Sequence, residues 1–184
     1  MKNRKLSMPF WCVGNPVGDP FGHAVMDRIS SLEVCDLLCK ARGEKLIDAT
    51  SAHDDDLVPF GSSVAETDRI LGEARRVMDG EDIVNSMVTC NMFEEPVFKD
   101  GALTSSDPQV RAYARQKGMR AIDMGARLGA KVYVMWGGRE GLEVEASKSA
   151  IDALGWYREG VEFLASYIQH NKYGMRVAME PKPN

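Results

Sequence analysis

The sequence predicts an α/β fold in which parallel strands are joined by crossover helices. Three observations carry that reading. Short apolar runs recur along the chain, longer stretches of helical periodicity separate them, and polar residues suited to chemistry follow directly after the apolar runs.

The elements can be taken in order. "FWCVG" at 10–14 is a short apolar run ended by glycine and reads as a first strand, while "LEVCDLLCKA" at 32–41 spaces its apolar residues at helical intervals. "KLIDATSA" at 45–52 is a second extended segment. Ser63 stands three residues before Glu66, a possible capping box, and Ile70, Ala74 and Met78 then share one face, so a helix is expected from Ser63. "IVNSMVTCNMF" at 83–93 is rich in apolar and β-branched residues and reads as a third strand, which "EEPVFKDG" ends with a turn. The next helix has Ser and Asp as cap candidates and Pro108 in its first turn. Val110, Ala114, Ala121 and Leu128 line one side of it, and Gly129 closes it. "KVYVMWGG" at 131–138 alternates little, as a strand buried on both faces would, and Leu154, Tyr157, Val161, Leu164 and Ile168 repeat at helical spacing after it. "GMRVAMEPKPN" at 174–184 is a last apolar strand ending in a proline-containing tail. The count is about five strands and four helices. Periodicity alone does not separate an open doubly wound sheet from part of a (β/α)8 barrel, but both gather the residues that follow the strands at one end.

Composition narrows the function. A chain of 184 residues fits one domain, spanning 1–184, with a sizeable core, and 44% apolar with 27% charged residues is an ordinary globular composition. The net charge of −4 argues against a nucleic-acid partner, which needs a basic surface. No window approaches the apolar length of a membrane span and the basic start lacks a signal-peptide core, so neither membrane nor export is expected and the cytoplasm is the default. Cys12, Cys35, Cys39 and Cys90 show no CxxC spacing and are expected as reduced thiols packed like small apolar residues.

Four strand ends carry the candidate chemistry: His53 with Asp54, Asp55 and Asp56; Thr89, Asn91 and Phe93; Trp136 with "GGREG"; and Glu180 with Lys182. His53 is either a general base or a hydrogen-bonded rim histidine, and Asp56, three residues on, can hold one of its ring nitrogens. Asp54 and Asp55 are expected to form a solvated, helix-capping turn. Phe93 and Trp136 are either a flat wall for the carbon face of a sugar or plain core. "GGREG" lacks the Lys-Ser or Lys-Thr of a P-loop, so its glycines are read as serving a sharp turn. Glu180 and Lys182 lie two apart in an extended segment, where a Glu suits a hard cation and a Lys suits a carbonyl oxygen.

"HDDDLVPFGS", "MVTCNMFEEPVFKDGALTSSD", "WGGREG" and "EPKPN", in this order over 53–184, closely resemble the matching segments of the xylose isomerases. The resemblance implies a TIM (β/α)8 barrel, usually a homotetramer, that converts the aldose D-xylose to D-xylulose and D-glucose to D-fructose. It implies two divalent cations per subunit, Mg2+ or Mn2+ or Co2+, assisting a hydride shift. His53 then corresponds to the residue that assists ring opening, with Asp56 orienting it, and Lys182 to the lysine that polarises the carbonyl oxygen. Trp11, Thr89, Phe93 and Trp136 fall to the sugar pocket, and Phe21 of "DPFG" to a residue that reaches into a neighbouring subunit's site. Glu180 falls to the metal.

The same resemblance implies further strand-helix units and the remaining metal ligands. The chain is therefore expected to be an N-terminal portion of such a barrel, inactive alone, with Glu180 as the one metal ligand it contains. Two other readings stay open: a half-barrel that acts as an assembly or binding partner, and a related sugar epimerase barrel.

Overall fold

A computed structural model describes residues 5–14, 16, 23–141 and 148–181. Two expected site residues, Phe21 and Lys182, lie outside them.

Four strands form one parallel sheet in the order β1-β2-β3-β4: β1 is Ala49–His53, β2 Val84–Thr89, β3 Val132–Trp136 and β4 Arg176–Glu180. Helices return the chain between them, as parallel neighbours require. The helices are α1 (Phe10–Gly14), α2 (Ser31–Gly43), α3 (Asp54–Leu57), α4 (Val64–Gly80), α5 (Pro108–Arg127) and α6 (Ala150–His170). Parallel strands in chain order with a helix returning between neighbours form part of an α/β barrel of the TIM type.

"FWCVG" is a helix and not the expected first strand, so the described sheet has four strands where five were expected. The edge position is taken by the residues just before it. Asp48 and Ala49 both donate to the Leu6 carbonyl, Met8 N donates to Ala49 O, and Ser7 bridges Ala49 in parallel. A short apolar run suits either element by composition. Here the pairing ends at Met8, and Cys12 N donates to Pro9 O as the chain coils, burying Phe10 against the core.

α4 and α5 begin where their caps suggested. Ser63 Oγ accepts from Glu66 N at 3.1 Å, although the Glu66 carboxylate turns to Arg69 and leaves the reciprocal half of the box unmade. Asp107 caps α5 through Gln109 N at 2.7 Å, with Pro108 in the first turn. α4, α5 and α6 bury Leu71, Ala74, Met78, Ile122 and Leu164 in a core shared with Val88 of β2. Gly125 lets α5 approach β2 closely, since a Cβ there would meet Val88 Cγ1 at 2.3 Å.

β3 alternates, against expectation: Tyr133 and Met135 are buried, and Val132, Val134 and Trp136 are half-buried on the opposite face. β4 is exposed along most of its length as the edge of the sheet. Among the described residues no helix is long and apolar enough to cross a membrane.

Candidate functional site

Because the four strands are parallel, their C-terminal ends share one rim. Register sets His53 beside Thr89, and Trp136 beside Glu180. A cavity of about 270 Å³ opens there, lined by Trp11, His53, Asp56, Thr89, Phe93, Trp136 and Glu180 together with Arg28, Met87, Asn91 and Glu94. Seven of the nine residues to which the resemblance gives a role thus meet at one place.

The His53 pair is built by a local turn. β1 ends at His53 and α3 starts at the next residue, so Asp56 comes back toward the strand end. Asp56 Oδ2 accepts from His53 N at 2.9 Å and lies 3.0 Å from His53 Nδ1. A carboxylate at that distance assigns the ring proton to Nδ1 and leaves the lone pair on Nε2. Trp11 stands 4.5 Å from the His53 ring, Phe93 5.6 Å from it, and Trp136 4.7 Å from Phe93, edge to face. The result is a continuous aromatic wall with one imidazole set into it. Thr89 lines the same cavity, but its hydroxyl donates to Val134 O at 2.8 Å, binding β2 to β3.

Asp54 and Asp55 are not the solvated turn the sequence suggested. Asp54 is 1% exposed, and Lys117 of α5 donates to its Oδ2 at 2.6 Å and to both Asp55 oxygens at 2.8 and 2.9 Å. The other Asp54 oxygen accepts from Asn91 N at 2.8 Å, tying the end of β1 to the end of β2. Burial, with Asp55 adding to it, pushes the Asp54 carboxyl up to about 6 against the pull of Lys117. Burial opposes the Lys117 charge, but Asp54 and its neighbours outweigh it, so the ammonium is held above its ordinary value. Burial likewise pushes the adjacent Cys90 thiol well up, which keeps it protonated.

"GGREG" makes the expected turn, with Glu140 N donating to Gly137 O, and its side chains add to it. Glu140 accepts from three successive backbone amides, Ala102, Leu103 and Thr104, at 3.2, 2.9 and 2.9 Å. The anion bound by those amides is the protein's own carboxylate. Arg139 Nε donates to Phe93 O at 2.6 Å, and Gly138 leaves room for the Trp136 ring, which a Cβ would meet at 2.4 Å. The loop after β3 therefore holds two aromatics of the wall.

Arg28, Glu94, Lys117 and Glu140 were not identified from the sequence. One signal was present: Lys117 falls on the apolar stripe between Ala114 and Ala121, where a cation has to find an anion.

Glu180 reaches the cavity from β4 as a single carboxylate. Among the described residues no group of three or more His, Cys, Asp or Glu is positioned to hold a metal ion. A hard divalent cation takes about six oxygen ligands, so these residues do not by themselves fit a metal centre.

Comparison with known proteins is specific on sequence. The chain is 44% identical to the xylose isomerase of Thermus thermophilus over 98% of its own length and 46% of that protein, and equally similar to that of Thermus caldophilus. The chain is xylose isomerase-like in sequence. It spans about half the length of the curated relatives it matches. No family model matches. Among solved structures, a 3-keto-D-glucoside 4-epimerase from E. coli aligns with a TM-score of 0.59 at 14% identity over 86% of this chain and 54% of that one. A D-tagatose 3-epimerase-like protein aligns with a TM-score of 0.55 at 18% identity over 77% and 48%. These likenesses speak for the barrel fold shared by sugar isomerases and epimerases. The xylose isomerase-like motifs quoted above supply every strand end that faces the cavity.

Proposed function

We propose that the cavity binds an aldose and that His53 and Asp56 open its ring, as one part of a protein that converts D-xylose to D-xylulose and D-glucose to D-fructose. The observation that supports this best is the His53 imidazole, held by Asp56 at 3.0 Å and flanked by Trp11 and Phe93. In this reading the aromatic faces cover the C–H face of the sugar and exclude water. Nε2 takes the proton of the anomeric hydroxyl and returns it to the ring oxygen, while Asp56 steadies the imidazolium that forms in between.

The rest of the proposal concerns the whole protein. Lys182 polarises the carbonyl oxygen, Phe21 reaches a neighbouring subunit of a cytoplasmic homotetramer, and Glu180 is one ligand of a Mg2+, Mn2+ or Co2+ ion. The described residues do not complete that coordination shell. Transfer of hydrogen between the two sugar carbons is therefore assigned to the whole protein, and the 184-residue chain is expected to lack turnover.

Two measurements test this. Adding D-xylose to the chain should perturb its tryptophan fluorescence, and His53→Ala should weaken that response; a flat titration overturns the sugar site. Assay with D-xylose and Mn2+ should show no turnover above the His53→Ala control, and turnover would overturn the inactivity of the chain alone.

A second reading, an assembly partner, is favoured by the exposed edge at β4. Met179 is 58% exposed there, with Ile151 and Leu154 more exposed still on the neighbouring α6. A stable monomer in size-exclusion chromatography, with no binding of an apolar dye, would overturn it.

A further inference from the structure

The geometry points to Arg28 as a positioning residue that holds Asp56, and through it selects the Nδ1–H tautomer of His53. Arg28 precedes α2 and lines the cavity. Its Nη1 lies 3.5 Å from Asp56 Oδ1 and 3.4 Å from the Asp55 carbonyl oxygen, and its Nη2 lies 3.8 Å from Glu94 Oε2. One guanidinium thus spans the turn after β1 and the turn after β2.

The contact matters because of how Asp56 divides its oxygens. Oδ2 serves His53 twice, through the backbone N and the ring Nδ1, whereas Oδ1 faces Arg28. Without a partner on Oδ1 the carboxylate can rotate about its Cβ–Cγ bond and exchange the oxygen seen by the imidazole. A planar cation at Oδ1 keeps the carboxylate in one orientation. Glu94 completes the frame, since the same Oε2 that faces Arg28 accepts from Asn91 Nδ2 at 2.7 Å, and Asn91 N is held by Asp54. A chain of polar contacts runs from the His53 ring through Asp56, Arg28, Glu94 and Asn91 to the buried Asp54–Lys117 pair.

Arg28 contributes orientation more than stability. Its side chain is 40% exposed, a setting in which an ion pair contributes little to folding. This separates the proposed role from a structural one. The catalytic meaning of the tautomer rests on the ring-opening reading above, but the tautomer itself is measurable without substrate.

The test is 15N NMR of the imidazole nitrogens in the full chain, labelled on histidine, at a pH about two units above the ordinary histidine value of about 6.5. The wild-type His53 should show a protonated Nδ1 and an unprotonated Nε2. Arg28→Gln should move it toward the Nε2–H form that free imidazole side chains favour, Arg28→Lys should fall between, and the melting temperature should change little. A wild-type pattern in Arg28→Gln, when Asp56→Asn does shift it, overturns the role of Arg28 alone. A wild-type ring already in the Nε2–H form overturns the reading of His53 and this inference with it.

Discussion

Lys117 Nζ lies 2.6 Å from Asp54 Oδ2, both side chains are almost fully buried, and 63 residues separate them in the chain. Removing one partner strands the other as a buried charge. Lys117→Met is therefore expected to destabilise the fold by about 3–5 kcal/mol, and the double variant with Asp54→Asn by less than the sum of the two single changes. Urea unfolding of the four proteins in the cycle measures both.

The Asp54 carboxyl also sets a pH dependence. Its folded value is raised by burial to about 6 from an ordinary 3.8, so between those values the folded protein binds a proton that the unfolded chain does not. This contribution is present below pH 3.8 and lost as the pH rises through 6. Relative to Asp54→Asn, the wild type should lose stability with rising pH across that window, with a slope no steeper than about 1.4 kcal/mol per pH unit. Unfolding midpoints of the two proteins at several pH values read the difference directly; a slope of opposite sign would sink the assignment.

Glu140→Gln keeps the shape of the side chain and removes the charge that three amides share. The expected loss is about 1–3 kcal/mol. Faster hydrogen exchange should concentrate at Ala102, Leu103 and Thr104, and the Trp136 emission should shift as its supporting loop loosens.

Gly125 and Gly72 separate close packing from helix propensity. At Gly125 an added methyl meets Val88 at 2.3 Å, so Gly125→Ala should destabilise by about 1–3 kcal/mol as α5 is pushed off β2. At Gly72, in α4, an added methyl meets nothing within 4 Å, and Gly72→Ala should stabilise by up to about 1 kcal/mol. Thermal melts of the two variants should move in opposite directions.

The alternation of α2, α4, α5 and α6 with β1 to β4 was legible because each depends on local periodicity and on caps such as Ser63 and Asp107. The pocket residues were legible for a related reason: in a parallel sheet, whatever follows each strand arrives at the same rim, so His53, Thr89, Trp136 and Glu180 had to meet. "FWCVG" is too short a run for its apolar spacing to separate helix from strand, and the hydrogen bonds that place the edge one step earlier come from Asp48 and Ala49.

By itself the sequence determined the order of elements, the end of the sheet where the cavity opens, and the His53–Asp56 pair, whose members are three residues apart. Tertiary structure alone decided which carboxylates are charged in the interior and what holds the pair. Asp54 and Asp55 look like a hydrated turn until Lys117 reaches them across 63 and 62 residues, and Asp56 looks self-sufficient until Arg28 reaches it from before α2. Contacts of that kind follow from packing α5 and the segment before α2 against the turn after β1, and no local spacing encodes them.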